Sequence, residues 1–242
     1  MKIAGIHAIE ELLKTGKPIE KVFILRNTES AVLKQLAGIF RRKGIPVQYV
    51  PKQKLNTLFQ GTHQGIIAIV SEFSYTDMEK MVQDAFNQTD TPVFLLLDGI
   101  TDTRNFGAVL RSAAAFEVNG IIVPAHHSAP LNKEVVKTSA GGIFKIPISR
   151  VNHLADALFY LKSYQVEIIA ATEKSHTYLE QFTFSKPVGL IMGNEHKGIS
   201  NRLIALSDFK LKINISTQMD SLNVSVATGI FLYEIHKQLK LK

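Results

Sequence analysis

Val93-Phe-Leu-Leu-Leu-Asp-Gly-Ile-Thr-Asp-Thr-Arg-Asn-Phe-Gly107 opens with five consecutive apolar residues and closes in a tract rich in Asp, Thr, Gly and Asn. An unbroken apolar run of strand length, ended by turn residues, is the signature of a strand buried on both faces. The pattern then recurs. Strands are expected at 93–97, 120–123, 166–170, 187–191 and 209–213, with a short one near 145–148, and helices at 107–117, 132–140, 152–163, about 199–206 and 223–239. Such β-α alternation predicts an α/β domain in which helices cover both faces of a parallel sheet.

Upstream lies a second, smaller α/β block. An amphipathic segment from Ile6 to Leu13 leads into Lys21-Val-Phe-Ile-Leu25, then a helical stretch from Glu29 to Arg42. A short strand at Ile45 to Val50, a helical turn or two near Lys54 to Phe59 and the strand Gly65-Ile-Ile-Ala-Ile-Val70 complete it. The expected organisation is a small domain over 1–72, a linker with a lead-in helix over 73–91, and a larger domain over 92–242.

Composition narrows the function classes. The chain has 242 residues and no cysteine, which excludes disulfides, thiolate metal sites and a cysteine nucleophile and fits a cytoplasmic protein. No apolar run approaches the roughly 20 residues of a membrane span, so no membrane partner is expected. Residues 1–72 carry 11 Lys+Arg against 5 Asp+Glu, so most of the net charge of +7 lies in the N-terminal third. Lys34, Arg41, Arg42, Lys43, Lys52 and Lys54 are its densest part, a footprint for a polyanion or a solvated basic face. The eight histidines include no His-Glu-x-x-His pair, and no metal is expected.

Parallel sheets bind ligands beyond the carboxyl ends of their strands. The segments there are Asp98 to Gly107, Met192 to Gly198 and Asn214 to Asn223, and all three should open on one edge. Gly193 and Gly198 have the spacing of a Walker phosphate loop, but Ile199 stands where its lysine belongs, and no Gly-x-Gly-x-x-Gly follows any strand. The last helix carries Val224, Ala227, Ile230, Phe231 and Ile235 at helical spacing, which reads as a core face.

Those three segments resemble, in order, the three motifs of the SPOUT superfamily, in its TrmH/SpoU branch of RNA ribose 2′-O-methyltransferases. Asn105-Phe-Gly-Ala-Val-Leu-Arg111 is similar to the first motif, Ile191-Met-Gly-Asn-Glu-His-Lys-Gly-Ile-Ser200 to the second, and Ser221-Leu-Asn-Val-Ser-Val-Ala227 to the third. Gly5-Ile-His-Ala-Ile-Glu-Glu-Leu12 and His63-Gln-Gly-Ile-Ile-Ala68 resemble the N-terminal substrate-binding domain of longer members. There are two departures: Asp102-Thr-Arg104 where members commonly have Asp-Pro, and His196 where a glycine is usual.

The resemblance implies an L30e/L7Ae-like RNA-binding domain followed by a SPOUT domain with a deep C-terminal trefoil knot, dimerised through that second domain. It implies transfer of a methyl group from S-adenosyl-L-methionine (AdoMet) to a ribose 2′-hydroxyl, with greatest similarity to members acting on a guanosine of bacterial 23S rRNA. The same reaction on tRNA, a non-catalytic RNA-binding protein on the same fold and an NTP-binding protein are the alternatives. The resemblance places cofactor contacts at Gly193, Ile213 and Leu222, while the basic cluster makes Lys34, Arg41, Arg42 and Lys43 the expected RNA contacts. Arg111 falls on the helix side opposite Leu110, Ala113 and Ala114, and a guanidinium does not lose its proton. Its expected part is to stabilise a developing alkoxide or orient a phosphate; a surface ion pair with Glu117 or Glu195 is the plainer reading. Asn105 is expected to cap the 107–117 helix while offering its amide to a ribose or to Arg111. Glu195 could hold Arg111 or an RNA hydroxyl; Ser221 and Asn223 could bond the substrate, with Asn223 equally fit to cap the last helix.

Overall fold

The computed structural model describes all residues except 1, 15–17, 71–74, 196, 217, 220 and 241–242. Two compact units divide at residue 74. In the first, β1 (Lys2–Ala4), α1 (Ile6–Lys14), β2 (Ile19–Leu25), α2 (Ala31–Arg42), β3 (Val47–Val50), α3 (Lys52–Leu58) and β4 (Ile66–Val70) follow one another. Their sheet runs β1-β4-β2-β3, with β2 and β3 parallel and the other pairs antiparallel. Side chains alternate across a strand. Ile66, Ala68 and Val70 therefore meet Leu36, Ala37 and Phe40 of α2 and Ile9 of α1, while Ile67 meets Leu55 of α3. Burial on both faces explains why β4 reads as unbroken apolar sequence. The three-residue β1 escapes sequence reading because it is too short to display a period.

The second unit contains α4 (Met78–Gln88), β5 (Val93–Asp98), α5 (Thr103–Ala115), β6 (Gly120–Pro124), α6 (Lys133–Thr138), β7 (Ile148–Val151), α7 (Leu154–Ser163), β8 (Glu167–Ala171), β9 (Val188–Gly193), α8 (Asn201–Leu206), β10 (Phe209–Leu211) and α9 (Val224–Lys240). The sheet order is β10-β8-β9-β5-β6-β7 and every pair is parallel, as the alternation predicts. One face packs Phe94, Leu96, Ile122, Ile168, Ala170 and Ile191 against α4, α7 and α8. The lead-in helix is part of this layer: Met81, Val82 and Ala85 of α4 are buried in that core. Helices α5 and α9 pack on each other and α9 also meets β9.

Two boundaries and one buried face differ from the sequence reading. Asp102 accepts the N–H groups of Arg104 (2.9 Å) and Asn105 (2.8 Å), so α5 starts at Thr103 rather than 107 and Asn105 is not its cap. The strand expected near 145–148 lies at 148–151, because Gly142–Phe144 form a 3₁₀ turn before Pro147. On α9, Val224, Phe231 and Ile235 are buried as expected of a core face, Ala227 is half-buried and Leu232 joins them, but Ile230 is exposed together with Val226 and Tyr233. The helix therefore has two apolar aspects.

Helices α5 and α6 approach closely at Gly107. A Cβ there would run into the side chain of Thr138 and lie 3.2 Å from the Ser139 nitrogen. Thr138 cannot swing away freely, since its hydroxyl donates to the Glu134 carbonyl at 2.9 Å. Gly107→Ala should destabilise the protein by about 1–3 kcal/mol, the usual cost of overpacking; equilibrium urea unfolding reads it, and an unchanged midpoint would contradict this packing.

Candidate active site

The loop after β9 is built by two glycines with different tasks. Asn194 and Gly198 exchange backbone hydrogen bonds (3.1 and 2.7 Å), closing a tight loop. Gly193 has no room for a Cβ, which would collide with the Gly198 and Ile199 backbone. Gly198 has open space around it but sits at φ +67°, where glycine alone is unstrained. The spacing that resembles a phosphate loop thus serves the loop's own closure. His196 lies outside the described residues.

This loop is fastened to the one after β5. The Ser200 N–H donates to Asp98 Oδ2 at 2.8 Å, and Asn194 Nδ2 donates to the Gly99 carbonyl at 2.8 Å. A third segment joins through three side chains. Glu195 Oε1 accepts from Asn105 Nδ2 (2.9 Å) and from Asn223 Nδ2 (2.7 Å), and Asn223 Nδ2 also approaches Asn105 Oδ1 at 3.0 Å. One residue from each of the three sequence segments therefore meets at one point. Asn223 Oδ1 meanwhile accepts the Ser225 N–H at 2.9 Å and caps α9. Both readings of Asn223 hold together, because its amide and its carbonyl face different partners.

Beside this cluster, at the carboxyl ends of β8, β9 and β10, lies a cleft of about 560 Å³. Gly193, Glu195, Ile213, Ser221 and Leu222 line it, with Met192, Ile199 and Phe231 adding apolar surface. Asn105 and Asn223 do not line it, nor does Arg111. Arg111 is exposed on α5, and among the described residues it pairs with neither Glu117 nor Glu195. Lys34, Arg41 and Arg42 lie on α2 and Lys43 caps its end, all in the first unit.

Sequence reading missed the wall after β8. Thr172, Glu173, Lys174 and Tyr178 line the cleft, and Lys212 holds its ammonium 4.7 Å from the Tyr178 ring centre. The signal was available: the 166–170 strand ends on the same edge and is followed by a polar tract. Thr103, at the departure from Asp-Pro, donates its hydroxyl to Glu134 Oε2 at 2.8 Å, tying the start of α5 to α6. Proline would fix φ at this first helical position; threonine leaves φ free and instead anchors the helix start through its side chain. Among the described residues, no group of three His, Cys, Asp or Glu is placed to hold a metal.

A parallel sheet with a cleft and a polar cluster at its carboxyl edge defines an α/β domain that takes a small ligand there. Residues 92–233 match the SpoU rRNA methylase family and residues 2–76 the RNA 2′-O ribose methyltransferase substrate-binding family. The chain belongs to the SpoU family of RNA 2′-O-ribose methyltransferases. It is 30% identical over 236 residues, 98% of this chain and 95% of the other, to YacO of Bacillus subtilis, which is named for the TrmH family of tRNA/rRNA methyltransferases. An AdoMet-bound rRNA methyltransferase from Sinorhizobium meliloti shares the fold with a TM-score of 0.60 at 24% identity, covering 98% of this chain and 87% of that one. A TrmH/SpoU tRNA-modifying enzyme of A. aeolicus gives a TM-score of 0.55 at 27% identity over 66% of this chain and 83% of that one.

The two glycines generate a paired expectation. Gly193→Ala should cost about 1–3 kcal/mol, because backbone, unlike a flexible side chain, cannot move aside. Gly198→Ala should cost roughly 1–2 kcal/mol from its left-handed backbone alone. Both glycines line the cleft, but Gly193→Ala should disturb ligand binding more, because its methyl must displace the Gly198 and Ile199 backbone. Urea unfolding and calorimetric titration of AdoMet separate the two effects; equal binding by both variants would contradict the steric role of Gly193.

Proposed function

We propose that the protein transfers the methyl group of AdoMet to the ribose 2′-hydroxyl of a guanosine in 23S rRNA. The observation that carries this reading is the meeting of Asn105, Glu195 and Asn223 beside the cleft. The cleft suits the donor: its volume is within the roughly 300–1,000 Å³ of small-molecule sites, and it combines an apolar floor for a purine with charged and polar groups for a zwitterionic tail. Bound AdoMet supplies an electrophilic methyl group on a sulfonium, to which the 2′-oxygen bonds as the carbon–sulfur bond breaks.

The protein's share is positioning. Gly193, Ile213 and Leu222 would hold the adenosine end, where strand ends offer unpaired amides and carbonyls. Glu195 accepts from both asparagine amides and so fixes their orientation. Ser221, on the cleft wall, and the Asn105 carbonyl would face the substrate sugar. Arg111 stays cationic at any working pH, so its contribution is to stabilise the oxygen as it loses its proton or to hold an adjoining phosphate, and the proton leaves to another acceptor.

The rRNA assignment is supported by the N-terminal unit. The S. meliloti rRNA methyltransferase aligns over nearly the entire chain, whereas the A. aeolicus tRNA-modifying enzyme aligns over 66% of it. The proposed organisation is an RNA-binding unit over 1–72, in which Lys34, Arg41, Arg42 and Lys43 meet phosphates, a linker and entry helix over 73–91, the helix packed into the core of the second unit, and the transferase over 92–242. A homodimer belongs to the same proposal, supported by exposed Val226, Ile230 and Tyr233 on α9. So do the trefoil knot, for which family membership is the support, and action in the cytoplasm, which the absence of cysteine suits.

Methylation of purified rRNA and tRNA with labelled AdoMet, followed by mapping of the modified ribose, tests the substrate. Transfer to rRNA at a guanosine is expected; transfer to tRNA alone would overturn the assignment. Arg111→Ala should lower the single-turnover rate roughly a hundred- to a thousandfold, the usual loss when one electrostatic stabiliser is removed, while AdoMet and RNA still bind. A near-wild-type rate would remove Arg111 from the mechanism.

A further inference from the structure

In the first unit, β3 is the outer strand of the sheet, and it presents an aromatic ring to solvent. Tyr49 is paired in register with Ile24 of β2 and therefore points to the same face, the one that α2 covers. Ile24 is fully buried beneath that helix, but Tyr49, one strand further out, is 36% exposed. About a third of the residue stays open to solvent, which leaves its ring within reach of a ligand.

The ring sits beside the basic end of α2. The Arg41 guanidinium carbon is 5.6 Å from the Tyr49 ring centre, and its Nη2 donates to the Tyr49 hydroxyl at 3.3 Å. Arg42 follows, folded back along the helix so that its Nη1 is 3.7 Å from where a Gly38 Cβ would be. Lys34 stands seven residues before Arg41 and so occupies the same side of α2, about 11 Å along the axis. Lys34, Arg41, Arg42 and Lys43 are exposed, and no acidic residue lies on α2.

Cations alone would suit any nucleic acid backbone. An ordered aromatic ring among them suits something narrower, because a base within a duplex already has both faces stacked. Unpaired bases in RNA are taken on Tyr, Phe, Trp or His rings and on guanidinium planes. We infer that Tyr49 and Arg41 form a stacking platform for one unpaired nucleobase, with Arg42, Lys43 and Lys34 holding the neighbouring phosphates. This rests on the proposed RNA-binding role of the N-terminal unit and adds to it the kind of RNA bound there: a single-stranded segment.

The platform adds affinity that salt does not screen, whereas the phosphate contacts add affinity that falls with salt. The full-length protein would be titrated with a short single-stranded RNA of mixed sequence, and with the same strand annealed to its complement, across a range of salt concentrations. Tyr49→Leu should weaken single-strand binding roughly five- to a hundredfold with an unchanged salt slope and little effect on the duplex, and Tyr49→Phe should bind nearly as wild type. Neutralising Arg42 and Lys43 with glutamine should instead flatten the slope for both RNAs. Thermal unfolding of each variant checks that the fold is kept. Unaltered single-strand binding by folded Tyr49→Leu, or equal losses on single strand and duplex, would overturn the platform. Methyl transfer by the wild-type protein is measured separately, so failure of the enzymatic assignment would be seen in that assay and failure of the platform in this one.

Discussion

The hydrogen bonds between the ends of β5 and β9 are what the rest of the catalytic unit depends on. Two neighbouring parallel strands deliver their loops to the same edge, and those loops begin with backbone groups that the sheet no longer satisfies. Asp98 and Asn194 meet that need reciprocally, one accepting from the Ser200 N–H, the other donating to the Gly99 carbonyl. Once the loops are fastened, the position of Glu195 follows from the short closed turn between Asn194 and Gly198. A flexible, exposed carboxylate is thereby brought to two asparagines that are distant in sequence. The order of dependence runs from sheet to loop closure to side-chain cluster.

Much of this was legible in the sequence, and the parts that were not have identifiable causes. The parallel sheet could be read because its central strands are buried on both faces and carry almost no polar residues. The three segments forming the cluster could be read because they follow strands and are rich in turn residues. The start of α5 was misplaced because Asp102 and Asn105 are both good caps, and pattern does not say which carboxylate or amide reaches the free N–H groups. That choice has a functional side: with Asp102 as the cap, the Asn105 amide is left for Glu195.

The outward aspect of Ile230 was hidden for a different reason. An apolar residue at helical spacing is the same letter whether it meets its own core or waits for another surface. The β8 wall was missed because its residues match no motif; what recruits Glu173 and Lys174 to the cleft is only the direction of the strand before them. The reasons for the two loop glycines are likewise not written in their spacing. One is required by the backbone that crosses it and the other by its own torsion angle, and sequence offers the same residue for both.

Helix α9 is secured at both ends. At its start Asn223 bonds into the cluster with Glu195. Near its finish Gln238 donates to the Phe182 carbonyl at 3.0 Å and accepts the Phe184 N–H at 2.8 Å. Between these anchors lie some four turns of helix, about 22 Å, with no freedom to translate: a shift by one residue would turn every side chain by about 100° and break both attachments. The helix acts as a measuring rod laid between the three-segment cluster and the connection that leads from β8 to β9. Its length, set by the count of residues between Asn223 and Gln238, is itself part of the geometry that holds Asn223 against Glu195 and Asn105.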